Sequence, residues 1–293
     1  MRYAFCKSDN KQYSARDFEK LPDDELQEKR ASLFCVECKE RAWFTRSTQN
    51  GIKDREAYFN SHHKEGCSQK TSYVLVEDER DAAPSTTETV TTADEIAVNL
   101  DEKKGGVIAD LSNENKKETS DDTDPSGTRN VKGLAGKNYT NKDKTLRQVL
   151  ASLVRYQNFR FSDKKIRFYS SAGAIQIDGI VRNEIVNFDD FKPSEGREHK
   201  IYWGLIVTAN KSSDGTIWLN AGDSKKELSI KIFPDKADEF IDAFKIKNLE
   251  ELNGAHVIVV GRSQVASTGK PIIYCANTNF INLQRYKEEY LEV

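Results

Sequence analysis

Cysteine and histidine residues are concentrated between positions 34 and 69, where three of the five cysteines and two of the four histidines lie. Cys35 and Cys38 are separated by two residues, a spacing that lets both thiolates reach one ion from a tight turn. Cys67 follows His62 and His63 with four and three residues between, and both spacings suit a pair of metal ligands. These residue types at these spacings predict a zinc site.

We expect zinc (Zn²⁺) to be the only cofactor of the chain and the set of ligands to be Cys35, Cys38, His63 and Cys67, with His62 or Cys6 as an alternative to His63. Four protein ligands close a tetrahedral site and leave no open position for an activated water, so the zinc is expected to hold structure and not to catalyse. The 23 residues at positions 39–61 make a longer insert than a finger helix needs, which favours a ribbon-like hairpin.

The order of elements around this window is specific. An opening hairpin, with Tyr3 and Tyr13 in its two arms, precedes the cysteine pair, and Tyr58 and Phe59 precede the histidines. This order resembles the N-terminal zinc-ribbon module of the competence protein CoiA family, over about residues 1–72. In that family the module precedes a nuclease-like domain, and the resemblance implies that Phe59 packs beside the metal-binding turn. The doubled histidine departs from the family pattern, and no nuclease signature follows.

Length and composition allow two domains of ordinary size, because the chain has 293 residues, of which 37% are hydrophobic and 31% charged. No run of about 18 apolar residues and no apolar signal core is present, so we expect no membrane partner and a cytoplasmic location. Cysteines in a metal-binding pattern favour a reducing compartment over a disulfide framework.

Charge is distributed unevenly along the chain. Positions 77–124 contain 15 acidic and five basic residues, a net charge of −10, which leaves +8 for the remainder. The sequence predicts a zinc-ribbon domain at 1–76, a disordered acidic linker at 77–141, a helix plus hairpin at 142–199 and a second folded domain at 200–293. A flexible linker would let the two modules occupy separate sites on one nucleic-acid strand or one partner. Within it, residues 93–100 are interpreted as a transient turn or a short partner-binding helix.

The second half of the chain has a mixed pattern that is mostly β with some α. Residues 144–157 carry apolar side chains at helical spacing, and residues 165–180 form a hairpin. After position 200 the order is three strands, a helix and two strands, with Leu252-Asn253-Gly254 before the fourth strand. This order resembles nucleic-acid-binding OB-fold domains, which implies a five-stranded barrel over about residues 200–286.

A barrel of this kind binds single strands with aromatic rings, on which bases stack, and with cations, which contact phosphates. Strand alternation places Lys231 and Phe233 on the face opposite the apolar Ile230 and Ile232. It places Trp203 on an apolar face, which predicts that Trp203 lies in the core. The residues expected to contact nucleic acid are Tyr202, Lys211, Trp218, Lys225, Lys226, Lys231, Phe233, Arg262 and Tyr274.

We find no catalytic signature, because neither a phosphate-cradling glycine loop nor a paired-carboxylate nuclease pattern is present. The sequence therefore favours a non-enzymatic DNA-handling protein that binds single-stranded DNA, or RNA, with no small-molecule substrate. The zinc ribbon would be a second contact or a dock for a protein partner. The alternative is a protein-protein adaptor in a mobile-element, competence or phage-defence complex.

Overall fold

The fold is mostly β with several sheets and a few helices. We analysed a computed structural model, which describes residues 1–47, 56–69, 73–75, 95–101, 144–156, 158–170, 175–192, 198–222 and 227–288. Within these ranges no helix combines the length and the apolar character that crossing a bilayer requires.

The N-terminal module is built from short strands and two short helices. Its elements are β1 (Tyr3–Cys6), β2 (Lys11–Ser14), α1 (Ala15–Glu19), α2 (Asp23–Arg30), β3 (Leu33–Cys35), β4 (Ala42–Thr45) and β5 (Tyr58–Ser61). Strand β1 pairs with β2 and β3, and β4 pairs with β5 in the hairpin expected from the sequence. The rings of Phe18, Phe44 and Phe59 meet at centroid distances of 5.0 to 5.5 Å in a small core.

A three-stranded sheet follows, and its first strand corrects the linker prediction. β7 (Glu95–Asn99) pairs in parallel with β8 (Lys165–Tyr169), which pairs antiparallel with β9 (Gln176–Ile180). Ile96 and Val98 are at most 1% exposed, because alternate side chains of β7 point into a core. The prediction of disorder, and of a turn or helix, is wrong for 95–101. The rest of the predicted linker, 77–94 and 102–141, lies outside the described residues.

The predicted amphipathic helix is present as α3 (Leu146–Arg155). It begins at a capping box, in which the Thr145 hydroxyl accepts from the Gln148 amide and the Gln148 side chain accepts from the Thr145 amide. Its apolar face packs against residues 256–265 and 281–284, two strands of the next sheet, so the helix covers that sheet from outside.

The largest sheet consists of β10 (Ile185–Asn187), β11 (Lys200–Leu205), β12 (Thr208–Lys211), β13 (Ile217–Asn220), β14 (Ser229–Ile232), β15 (His256–Val265), β16 (Pro271–Cys275) and β17 (Ile281–Gln284). A one-turn helix, α4 (Val181–Glu184), precedes β10, and α5 (Pro234–Ala243) lies between β14 and β15. The sheet is mixed, in the order β10-β11-β15-β16-β14-β13-β12, with β17 also paired to β15. Pairs β10–β11 and β14–β16 are parallel, and the others are antiparallel.

The prediction of a five-stranded barrel is corrected, because the sheet has eight strands and its ladder does not close. Between β11 and β12 the chain changes neighbours. The Ile206 amide donates to the Ala255 carbonyl on the β15 side, whereas the Val207 amide donates to the Asn220 carbonyl on the β13 side. The two segments are therefore consecutive in the chain but unpaired with each other.

Both faces of β11 and β15 are buried. The inner face, with Tyr202 and Val257, joins a core formed with β13, β14, β16 and α5. The outer face, with Ile201, Trp203 and Ile258, packs against α3 and the β7–β9 sheet. The helix and hairpin thus share one hydrophobic core with the outside of the mixed sheet.

The N-terminal module packs directly on the mixed sheet. His62 Nε2 lies 2.8 Å from the Gly254 carbonyl oxygen, and Arg41 forms an ion pair of 3.1 Å with Glu227. Gly254 has a φ of +83°, and a Cβ added to it would lie 2.2 Å from the indole of Trp43. The two parts are therefore in contact. A further strand pair joins the same parts, β6 (Tyr73–Leu75) with β18 (Tyr286–Glu288).

Candidate functional site

Four side chains of the N-terminal module converge on one point. The ligand atoms of Cys35, Cys38, His63 and Cys67 all lie within 4.8 Å of one another, and the group could bind a metal ion. The sulfurs of Cys35 and Cys67 are 3.9 Å apart, and His63 Nδ1 lies 3.4 Å from Cys38 Sγ and 3.3 Å from Cys67 Sγ. Ligand atoms around a tetrahedral zinc are about 3.5 to 3.8 Å apart, so the residues fit such an ion.

Two turns bring these ligands together. In the first, Cys35 ends β3, its amide donates to the Glu40 carbonyl, and Lys39 closes the turn with a φ of 59°. The Glu37 amide points at Cys35 Sγ from 3.4 Å, as an amide does around a metal-bound thiolate. In the second, the Cys67 amide donates to the Lys64 carbonyl. Each turn is local, which explains why the sequence spacing identifies the cluster.

The two alternative ligands lie elsewhere. His62 contacts Gly254, and its ring stacks on His256 with centroids 5.0 Å apart. Cys6 Sγ lies 3.1 Å from the Ser8 hydroxyl, in the sheet of β1 to β3. Of the two adjacent histidines, His63 thus faces the cysteines and His62 faces the mixed sheet.

The thiols differ in their readiness to ionise. Burial raises the pKa of Cys67 to about 11. Burial also acts to raise the pKa of Cys38, but the backbone amides of Glu40 and Lys64 outweigh it and hold that pKa below its ordinary value. A metal ion that binds here would therefore displace a proton from Cys67 at neutral pH.

A second candidate site lies on the outward face of the mixed sheet. Cross-strand neighbours form one row, in which Trp218 of β13 pairs with Lys231 of β14, Lys231 with Tyr274 of β16, and Tyr274 with Arg262 of β15. With two neighbours, these side chains form what we call the aromatic-basic face: Trp218, Lys231, Phe233, Arg262, Lys270 and Tyr274.

Rings and cations alternate on this face. The Lys231 ammonium lies 5.6 Å from the Trp218 ring centroid and 5.2 Å from that of Phe233. Phe233 and Tyr274 are stacked, with centroids 5.9 Å apart and planes inclined by 19°. All three rings are partly exposed. The arrangement offers two flat platforms with a positive charge between them.

Other residues predicted for this site do not join it. Tyr202 is only 3% exposed and donates its hydroxyl to Ser263, so its assignment to the binding face is wrong. Lys211 is exposed at the end of β12 and lies 3.5 Å from Asp238 of α5, away from the row. Lys225 and Lys226 lie outside the described residues.

The sequence reasoning missed Lys270, whose ammonium lies 4.7 Å from the Trp218 ring centroid. It also missed Asn210, the exposed cross-strand neighbour of Trp218 on β12. The position of Lys270 at the end of a Ser-Thr-Gly turn, directly before β16, was the only signal available.

Comparison with known proteins does not assign a function to these sites. No protein-family model matches the chain, and no curated protein shows significant sequence similarity to it. The resemblances to the CoiA zinc ribbon and to OB-fold domains therefore stay predictions.

Proposed function

We propose that this chain binds single-stranded nucleic acid, DNA in preference to RNA, through the aromatic-basic face and without catalysing a reaction. The observation that carries the proposal is the row of Trp218, Lys231, Tyr274 and Arg262, which runs in register across four strands. Bases stack on aromatic rings irrespective of sequence, and phosphates need a cation close by.

The spacing of the row suits a strand in an extended conformation. Trp218 and Tyr274 lie two strands apart, about 9.6 Å, with Lys231 between them. Two bases could stack on the Trp218 ring and on the Phe233–Tyr274 pair while the phosphates between them meet Lys231. Arg262 and Lys270 extend the positive charge along both ends of the face.

The strand order supports the same function. If β11 and β12 are taken as two segments of one bent strand, the neighbours β13, β14, β16 and β15 follow in the order of an OB-fold, with α5 between the third and fourth strands. OB-folds are partly open barrels that bind oligonucleotides on the face of their second and third strands. In this chain those strands are β13 and β14, which carry Trp218 and Lys231.

We further propose that the four-ligand cluster holds zinc and that the ion is structural. Three thiolates and one imidazole that can surround an ion tetrahedrally are a common set of ligands for structural zinc, and they leave no open coordination position. The zinc would keep the two turns together and so place His62 against Gly254. The N-terminal module would then be a rigid neighbour of the binding domain.

Fluorescence anisotropy of the full chain with labelled single-stranded DNA tests the main proposal. We expect Trp218→Ala to weaken binding by about 1 to 3 kcal/mol through the loss of one stack. Phe161→Ala is the control, because Phe161 is 60% exposed and lies outside the face. Equal affinities for Trp218→Ala and the unmodified chain would rule out this face and favour the protein-adaptor alternative.

A further inference from the structure

A row of buried polar side chains lies beside the aromatic-basic face, two positions along the same strands. Thr208 of β12, Asn220 of β13 and Ser229 of β14 are cross-strand neighbours and are 8%, 1% and 1% exposed. The Ser229 hydroxyl donates to Asn220 Oδ1 at 2.6 Å, and Asn220 Nδ2 lies 3.1 Å from the hydroxyl oxygen and 3.4 Å from the carbonyl oxygen of Thr208. Because a carbonyl oxygen only accepts, the Asn220 side chain directs its amino group, and not its oxygen, towards β12.

This buried row fixes the orientation of Asn210. Asn220 Nδ2 also donates to Asn210 Oδ1, at 3.0 Å, so the oxygen of Asn210 points to the row and its Nδ2 points away from it. Asn210 is exposed, and its Nδ2 donates to no other group in the part of the chain that the structure describes. A side chain that is already held in place loses little freedom on binding, so Asn210 presents a preorganised hydrogen-bond donor.

Asn210 and Lys231 flank Trp218 on opposite sides. Both are direct cross-strand partners of Trp218, from β12 and from β14. The Cβ atoms of such partners are about 4.5 to 5.5 Å apart, which brings the Asn210 amide within reach of a base stacked on the indole. When the phosphates meet Lys231, the sugar lies on the Lys231 side of the ring. The Watson–Crick edge of the base, which points away from the sugar, then faces Asn210.

Donors prevail around the Trp218 ring. The ammonium groups of Lys231 and Lys270 lie 5.6 and 4.7 Å from its centroid. Asp214, in the turn between β12 and β13, is already engaged, because its carboxylate accepts from the Ser212 hydroxyl and from the amide and hydroxyl of Thr216. An amino group on the Watson–Crick edge of a base would oppose the Asn210 amino group, whereas a keto oxygen would accept from it.

We propose that Asn210 selects a base with a keto oxygen, thymine or guanine in DNA, for the position on Trp218. Cytosine and adenine carry an amino group where thymine and guanine carry this oxygen. Asn210 would thus determine specificity, whereas the rings and cations of the face supply affinity for any sequence. The inference rests on the proposed function, because it requires that a base stacks on Trp218.

The test compares two labelled oligonucleotides of equal length, one of thymine and one of cytosine, by fluorescence anisotropy with the full chain at neutral pH. Both bases are pyrimidines, so the two strands differ mainly at the base edge. The thymine strand should bind about fivefold more tightly, as expected for one net hydrogen bond. Asn210→Asp keeps the oxygen that accepts from Asn220 but replaces the outward amino group by a second oxygen. In this variant the ratio of the two affinities should fall to one or below.

Ser213→Asp is the charge-matched control, since Ser213 is exposed in the turn that follows β12. Its added carboxylate should weaken binding of both strands to a similar extent and preserve the fivefold ratio. Equal affinities for the two strands in the unmodified chain, or an unchanged ratio in Asn210→Asp, would overturn the role of Asn210. The proposed function would survive that result if Trp218→Ala weakened binding of both strands. Failure of the unmodified chain to bind either strand would overturn both proposals.

Discussion

At the scale of single residues, the two adjacent histidines have separate tasks. His63 Nδ1 faces the sulfurs of Cys38 and Cys67, whereas His62 turns to the Gly254 carbonyl. Spacing alone leaves both as candidate ligands, because three and four intervening residues suit a metal pair equally well. What separates them is the contact of His62 with a residue 192 positions away, which no local pattern contains.

This division predicts the metal content of two variants. His63→Ala removes a ligand atom from the cluster and should lower bound zinc from about one ion per chain to well below half. His62→Ala leaves the four ligands in place and should retain the ion. Elemental analysis of both variants after purification checks the expectation. Loss of zinc from His62→Ala with retention in His63→Ala would reverse the assignment.

The surroundings of β11 explain why Tyr202 was wrongly assigned to the binding face. β11 has apolar residues on both faces, since the mixed sheet has one core inside and another outside. Alternation therefore gives no polar side by which an exposed ring could be recognised. On β13 and β14 only one face is apolar, and alternation placed the partly exposed Trp218 and Lys231 on the other face, where the neighbours Asn220 and Ser229 are polar although buried.

At the scale of elements, β7 has a visible strand pattern, but the segments next to it in the chain do not include its pairing partner. Ile96 and Val98 alternate with Glu95, Ala97 and Asn99, as in a half-buried strand. The parallel partner β8 begins 70 residues after β7, beyond an acidic and polar segment, so composition pointed to disorder instead. Parallel pairs need long connections, and that distance hides them from local reasoning.

The buried side of β7 predicts a clear effect on stability. Ile96 is 1% exposed in the core shared with α3 and the mixed sheet. Ile96→Ala should therefore lower the free energy of unfolding by about 2 to 5 kcal/mol. Val265→Ala, at a position 41% exposed, should change it by less than about 0.5 kcal/mol. Chemical denaturation measures both, and equal values for the two variants would show that β7 contributes nothing to the core.

At the scale of the whole molecule, the N-terminal module and the mixed sheet meet at a junction that includes the partly buried, uncharged imidazole of His256. Burial, with a smaller contribution from His62, lowers the pKa of His256 from its ordinary value of 6.5 to about 3. The unfolded chain takes up a proton near pH 6.5, whereas the folded chain does so only near pH 3. The free energy of unfolding should therefore fall as the pH is lowered from about 6.5 towards 3.

His256→Phe keeps a ring in the junction but cannot take up a proton, so its stability should depend less steeply on pH over this interval. Denaturation curves at several pH values measure the slopes, and zinc content measured at each pH identifies samples that have lost the metal. Identical slopes for His256→Phe and the unmodified chain, at constant zinc content, would exclude His256 as the source of the pH dependence.

The sequence was informative wherever the decisive contacts are local, as in the two metal-binding turns, the β4–β5 hairpin and the capped helix α3. It was uninformative where contacts are distant. The junction of Trp43 and His62 with Gly254 and the β6–β18 pair both depend on docking between segments far apart in the chain.

The most direct test of the nucleic-acid proposal is the salt dependence of single-stranded DNA binding by the full chain. Three cations on the face, Lys231, Arg262 and Lys270, predict a slope of log affinity against log salt of about −2, at about 0.7 per phosphate contact. Lys231→Ala should reduce the slope by about 0.7, whereas Lys236→Ala on α5, a charge-matched control, should not. Binding that is insensitive to salt, or equal slopes in the two variants, would contradict the account.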